Sequence, residues 1–474
     1  MPSAIPAPPR RAWRTESSAL LRLATPMMIA QMAQVATGFV DTVMAGRVSP
    51  DDLAAVSIGS SILITVFLTL SGVIMALNPL IAHQLGARQF DRIGPVVRQG
   101  FWVAAGLGLF GLALMFALMP WLPGWLSLET SVADKVNGYL AGAALGVPGI
   151  LLYRVLHAYS SSVNQTRPIM LVSLAALALN VPLNYMLIHG LFGLPALGGA
   201  GCGWATGIVF WFSFVALALY TRYSRAYDTC PVWQRLEAPS RQLIGQIQRL
   251  GLPIALSFFL EVSTFTFVTL LIARLGSTVV AGHQVVINFT TLTYMVPQCL
   301  AMALTVRVGH ALGANNPQLA RFRSLIGILL GAVTAIASST LILFLRTPIA
   351  ELYTPDPQVV ALAASLMLFA VFYQFFDAIQ TIATGALRGY KSTTGPMLVH
   401  LVVFWGLGLG GGSWLGLNQV TLLGHDLPTG AYGFWVALTL SLTLAAFILG
   451  AVLLHVSRQK LNDGRQPALH EALA

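Results

Sequence analysis

Two carboxylates stand where the chain is otherwise almost wholly apolar. Glu261 lies in Leu252-Pro-Ile-Ala-Leu-Ser-Phe-Phe-Leu-Glu-Val-Ser-Thr-Phe-Thr-Phe-Val-Thr-Leu-Leu-Ile-Ala-Arg274, a stretch long enough to cross a bilayer. Asp377 lies in the similar surroundings of Val371-Phe-Tyr-Gln-Phe-Phe-Asp-Ala-Ile-Gln380. A carboxylate near a membrane midplane costs at least ~2.5–3.5 kcal/mol on insertion scales, so an acid kept there is by default functional. If the two helix faces meet, desolvation and mutual repulsion favour holding a proton or binding a cation. Na⁺ would want several oxygen ligands and a proton only one carboxylate; the residues alone leave both open. A purely structural acid, hydrogen-bonded to a neighbouring helix, is the alternative.

Other polar residues in apolar runs extend this picture. Phe265 follows Glu261 by four residues and so shares its helix face. Tyr294 offers a hydroxyl to an acid or a π-face to a cation, and Gln284 lies in the same part of the chain. We take Tyr294 as part of the cation site, and Phe265 and Gln284 as substrate contacts. In the first half, Asp41 sits in Gly38-Phe-Val-Asp-Thr-Val-Met-Ala-Gly-Arg47, and Asn180 and Asn184 are four apart on one face. Those three are expected to form a polar pocket, with interhelical hydrogen bonding as the plainer role of the asparagines.

The elements that carry these residues are membrane spans. The chain has 474 residues, of which 56% are hydrophobic and only 9% charged. Soluble proteins carry about 25% charged residues, so an integral membrane protein is expected. Stretches long enough to span fall near 19–46, 53–82, 97–119, 134–160, 168–189, 200–221, 247–274, 281–309, 323–345, 358–386, 395–416 and 431–456. The reading is an all-α integral membrane fold of twelve transmembrane helices in two pseudo-symmetric six-helix bundles. Residues 1–18 form a basic N-terminal tail that stays in place, 19–221 one lobe, 222–246 a linker, 247–456 a second lobe, and 457–474 a C-terminal tail.

Basic residues cluster after even-numbered spans (Arg88, Arg92, Arg98, Arg167, Arg222, Arg225, Arg321, Arg323, Arg388, Lys391) and in the tails, while the odd connections carry Asp51, Asp52, Glu129, Glu351 and Asp356. By the positive-inside rule both termini are cytoplasmic. This scatter through short loops also accounts for the net charge of +10 without nucleic-acid binding. Cys202, Cys230 and Cys299 are too few and too spread for a disulfide or metal framework.

The two halves are related. Pro26 and Pro253, Arg47 and Arg274, Ala54 and Ala281, and His83-Gln-Leu-Gly-Ala87 and His310-Ala-Leu-Gly-Ala314 all differ by 253 − 26 = 274 − 47 = 281 − 54 = 310 − 83 = 227. Six spans per half give parallel repeats, the architecture of transporters that rock two halves around a shared site. The duplication places Gln34 opposite Glu261 and Val268 opposite Asp41. The scaffold is therefore symmetric and its acids are not.

Met44-Ala-Gly-Arg47, Leu53-Ala-Ala-Val56, Asn180-Val-Pro-Leu-Asn-Tyr185, Gly199-Ala-Gly-Cys-Gly-Trp-Ala-Thr206, Glu261, Ala281-Gly-His-Gln284 and Leu387-Arg-Gly389 together resemble the multidrug and toxic compound extrusion (MATE) family, NorM branch, over about 19–456. The resemblance implies two six-helix lobes around a V-shaped cavity, and antiport of cationic amphipathic drugs against Na⁺ or H⁺ by rocking. It implies that Glu261 and Asp377 are the second-lobe cation site, the one place a metal ion (Na⁺) is expected, with Tyr294 as aromatic neighbour. It ties Asp41 to drug or cation binding, with Asn180, Asn184 and Thr206 beside it. It also implies drug contact at Asp356, in an outer loop, and more weakly at Ser61. The expected setting is a bacterial inner membrane, with the chain acting as a monomer.

Two other functions fit the residues less well. A lipid-linked oligosaccharide flippase would favour basic residues in its cavity, whereas the intramembrane charges that stand out are acids; Arg154 is the one basic residue read as deep within a span. An intramembrane lipid-modifying enzyme needs a nucleophile–base pair or a two-acid loop motif, and no Ser/His/Asp or HExxH set stands out. No GxxxxGK[ST] sequence supports direct ATP drive, so no cofactor is expected.

Overall fold

The computed structural model describes residues 10–125, 128–193, 195–235, 237–418, 421–422, 425–426 and 429–463. Among the described residues, twelve helices are long and apolar enough to cross a membrane. In the first half they are α1 (Ala12–Gly46), α2 (Pro50–Gly86), α3 (Phe90–Leu118), α4 (Thr130–Ser162), α5 (Arg167–His189) and α6 (Ala200–Tyr223). In the second they are α7 (Arg241–Ala273), α8 (Ser277–Gly313), α9 (Pro317–Tyr353), α10 (Pro357–Gly389), α11 (Thr394–Leu417) and α12 (Ala431–Asp463). The described chain is all-α apart from a two-residue antiparallel pairing, Thr421–Leu422 with His425–Asp426. The helices run longer than the sequence boundaries: helix begins at Arg10, inside the expected 1–18 tail, and ends at Asp463, inside the expected 457–474 tail.

The compact units do not follow the lobe boundaries 19–221 and 247–456. One unit is Thr25–Leu256; the other comprises the chain up to Ala24 together with Ser257 onward. The start of α1 thus belongs with the second half and the start of α7 with the first, and the hand-over falls beside Pro26 and Pro253. Specific contacts explain each. Glu16 of α1 is an ion-pair partner of both Arg307 of α8 and Arg323 of α9, and Trp13 meets Phe322 edge to face at 5.1 Å. At the other exchange, a Cβ added at Gly251 would lie 2.4 Å from the Val73 carbonyl oxygen, so α7 and α2 touch backbone to backbone.

The 222–246 segment is not a free linker. It is docked on the first-half unit: Arg98 pairs with Glu237 and donates to the Val232 carbonyl, Gln99 exchanges hydrogen bonds with Ala238 and Ser240, and Tyr159 donates to the Cys230 carbonyl at 2.6 Å. A polar segment reads as a linker from composition, yet its backbone groups find partners on α3 and α4.

In the first-half unit α4 and α6 approach closely because both place glycines at a spacing of four. Added Cβ atoms at Gly146 and Gly207 would lie 2.5 Å and 2.4 Å from backbone of the facing helix. Small residues at this spacing let membrane helices pack by van der Waals contact, the force left where no hydrophobic effect drives association. This contact sets the position of Thr206 and Cys202 on α6. Gly207→Val should lower the melting temperature of the purified protein, with an overpacking cost of about 1–3 kcal/mol. An unchanged melting temperature would mean that α4 and α6 can separate without loss.

Candidate functional site

The second-half unit brings Glu261 of α7, Tyr294 of α8 and Asp377 of α10 together. The Tyr294 hydroxyl lies 3.1 Å from Glu261 Oε1 and 3.3 Å from Gln298 Oε1, and its single proton can go to one of them at a time. Asp377 is near enough to interact electrostatically with both Glu261 and Tyr294. The two acids differ in access. Glu261 is half-buried, whereas Asp377 is 3% exposed. One carboxylate can therefore meet solvent while the other is enclosed.

Asp377 is held from behind. Gln380 donates from Nε2 to Asp377 Oδ1 at 3.0 Å and to the Thr381 hydroxyl at 3.1 Å. The Gln380 Oε1 lies 3.3 Å from His400 Nε2, so that ring nitrogen carries the proton. His400 is the last residue before Leu401–Gly411, where α11 winds as a wide π-helix. Long π segments are rare and tend to accompany functional sites.

An aromatic wall backs the site. Phe265 meets Tyr373 edge to face at 6.3 Å, Tyr373 meets Trp435 at 5.9 Å, and Trp435 meets His283 at 5.7 Å. Trp435 donates its indole N–H to His283 Nδ1 at 3.2 Å, which leaves the imidazole proton on Nε2, 2.9 Å from the Thr269 hydroxyl oxygen. His283 is thus locked as one tautomer in a buried network.

The first-half unit assembles the other polar cluster. Asn184 donates from Nδ2 to Asp41 Oδ1 at 2.5 Å and to Asn180 Oδ1 at 3.0 Å. Thr206 donates to Asp41 Oδ2 at 3.1 Å. Asp41 is 4% exposed and both asparagines are fully buried. Spacing of four along α5 aligns the asparagines, and the α4–α6 glycine contact brings Thr206 in.

Other expected site residues stand apart. Gln34 is half-buried on α1 and makes none of the hydrogen bonds of the Asp41 cluster. Gln284 is exposed, next to the buried His283 on α8. Ser61 is exposed and donates to the Ser57 carbonyl of its own helix. Asp356 caps the N-terminus of α10, accepting from the Gln358 amide at 2.9 Å. Its position is fixed by that cap, which any drug contact would have to share.

One part of the charge pattern is corrected by the fold. Arg388, read as a loop residue after a span ending at 386, lies inside α10, is 7% exposed, and packs its guanidinium 4.9 Å from the centre of the Phe258 ring. It is within electrostatic reach of Glu261. Arg154 is accordingly not the one basic residue within a span; it lies in α4 with its guanidinium 4.9 Å over the Phe67 ring. Sequence reasoning passed over Arg388, His283, His400 and Trp435. Metal-ligand spacing is the wrong signal for histidines that serve as hydrogen-bond links, and a span ended three residues early turns a buried arginine into a loop residue.

The MatE family model matches residues 26–186 and again 253–413. Both ends move by the same amount, 253 − 26 = 413 − 186 = 227, which is the shift of the internal repeat. The chain belongs to the MatE family. It is 52% identical over 448 residues to the probable multidrug resistance protein NorM of Chromobacterium violaceum, covering 94% of this chain and 95% of that one. It is 44% identical over 436 residues to the multidrug resistance protein PmpM of Pseudomonas aeruginosa, covering 92% and 91%. Among solved structures it is similar to the MATE transporter NorM-NG, solved with a small-molecule ligand and a monobody, with a TM-score of 0.80, 40% identity, and 93% and 95% of the two chains covered. Membership places this MATE chain among multi-pass membrane transporters and not among enzymes.

The Asp41 cluster gives a direct stability test. Asn184→Ala removes the amide that meets the buried carboxylate and should cost about 1–3 kcal/mol, because an enclosed acceptor loses its donor. Thr206→Val should cost less, since its bond is longer. A melting temperature equal to that of the unaltered protein in Asn184→Ala would show that Asp41 does not depend on this partner.

Proposed function

We propose that this MATE protein is a secondary active multidrug exporter that extrudes amphipathic cationic drugs in exchange for H⁺ or Na⁺ by a rocking form of alternating access. The reading assigns cation coupling to Glu261, Asp377 and Tyr294. Its main support is the Tyr294–Glu261 hydrogen bond beside an enclosed Asp377 within one compact unit. Two carboxylates this close in a poorly solvated place repel each other, and a small cation or proton relieves the repulsion. The relatives named multidrug resistance proteins, and the ligand bound to NorM-NG, support drugs as the cargo.

The chemistry follows from the unequal access of the two acids. The half-exposed Glu261 is the group that meets ions first. The enclosed Asp377, fixed by Gln380, feels any change of charge on Glu261 through the low-dielectric surroundings. Emptying the site leaves bare negative charge that attracts a cationic drug, and refilling it expels the drug. Transport is driven only if ion and drug each favour opposite states of the protein. Asp41, with Asn180, Asn184 and Thr206, serves in this scheme as a second polar site that contributes to drug or cation binding. Phe265, Gln284, Ser61 and Asp356 are assigned as drug contacts. The location proposed is the bacterial inner membrane, with both termini cytoplasmic on the strength of the basic residues in the even connections. Each chain holds both halves of the repeat and is proposed to work as a monomer.

The deciding experiment is drug transport in proteoliposomes with ΔpH and ΔNa⁺ imposed separately. Uphill drug movement should follow one of the gradients, and a chain that only equilibrates drug would not be an antiporter. Glu261→Gln and Asp377→Asn should each reduce gradient-driven transport to background while the protein stays folded. Ethidium movement at the unaltered rate in either variant would remove the coupling assignment. Asp41→Asn should lower transport of cationic drugs more than of neutral ones; equal losses would make its role structural.

A further inference from the structure

A cavity of about 260 Å³ lies among α8, α9 and α10 of the second-half unit, beside the coupling acids but not lined by them. Its polar groups are unusual in sign. Gln374, three residues before Asp377 on α10, is 1% exposed, and its Oε1 is buried with no hydrogen-bond partner. Three hydroxyls also line the cavity, and each has already given its proton to its own helix. Thr293 donates to the Thr290 carbonyl at 2.9 Å, Thr334 to Gly331 at 3.0 Å and Ser338 to Ala335 at 3.0 Å. What they present is lone pairs. Pro297, also in the wall, has no N–H to give to the Thr293 carbonyl one turn before it. The Gln374 carbonyl oxygen and the three hydroxyls are therefore all placed to accept, and none of the hydroxyl protons is free to donate.

A buried acceptor without a donor is costly, so such a lining calls for a guest that brings hydrogens. Among the described residues no aromatic ring lines the cavity, so a cation without N–H groups finds no π-face there in compensation. The volume is below that of a pocket for a whole drug. We infer that the Gln374 cavity holds the protonated aminoalkyl arm of an amphipathic substrate, bound through N–H donors to Gln374 and the hydroxyl oxygens, and that it sets a preference for protonated amines over quaternary cations. This deepens the efflux reading above by naming a substrate class, and rests on it for the site's use in transport.

Direct binding tests it without transport. Calorimetry on the purified full chain would compare benzyldimethylammonium, which carries one N–H, with benzyltrimethylammonium, which carries none. A hydrogen bond to a charged donor should favour the first by about tenfold. Gln374→Leu should cut that preference to less than about threefold by removing the acceptor. Ala337→Phe fills the cavity from an exposed position on α9, leaves the polar groups intact, and should abolish the preference as well. Equal binding of the two probes, binding of neither, or a preference that survives both variants would overturn the inference and leave the cavity to water. The efflux reading fails separately: in the proteoliposome assay a quaternary drug would not follow any gradient, whatever the amine binding shows.

Discussion

A carboxylate inside a membrane must be given hydrogen-bond donors or a cation, and much of this structure answers that demand. Asp41 is met by an amide and a hydroxyl. Asp377 is met by the Gln380 amide, and Glu261 by the Tyr294 hydroxyl. None of these donors is charged. Neutral donors hold a carboxylate in place without cancelling its charge, so an exchangeable cation retains a reason to bind. A guanidinium in direct contact would remove that reason. Arg388 stays within electrostatic reach of Glu261 but packs on the Phe258 ring, so its charge biases the site without occupying it.

The arginines that do form direct ion pairs lie elsewhere. Arg307 and Arg323 grip Glu16, and Arg98 grips Glu237. Those pairs tie down the start of α1 and the segment between the halves, where fixed position is the task. The chain thus separates two uses of charge: satisfied pairs for anchoring, and carboxylates with neutral partners for exchange.

The internal duplication supplies two similar scaffolds, and each has been furnished differently. The first-half cluster is closed and short-bonded around one acid. The second-half cluster has two acids of unequal access, an aromatic wall and a rare helical form in α11. If both clusters were alike, ion and drug would have no basis for preferring different sites or states. Asymmetry laid on a symmetric frame is what a coupled exchanger requires.

The sequence alone determined the things that depend on local composition and period. Apolar runs longer than a bilayer is thick marked twelve spans, a constant shift of 227 marked the repeat, and the expense of burying charge singled out Glu261, Asp377 and Asp41. The pairing of Asn180 with Asn184 was legible because about four residues make one helical turn. What the tertiary structure decided depends on which helix faces which. Tyr294 reaching Glu261, Gln380 reaching Asp377 and Thr206 reaching Asp41 were matters of packing, as was the exclusion of Gln34 and the exposure of Gln284. Packing also assigned the first turns of α1 and α7 to opposite units, because Glu16 finds its arginines on α8 and α9 while Gly251 admits the backbone of α2. Burial of an arginine or a histidine has no local signature; it is settled by what closes over the side chain, as Phe258 does over Arg388 and Trp435 over His283.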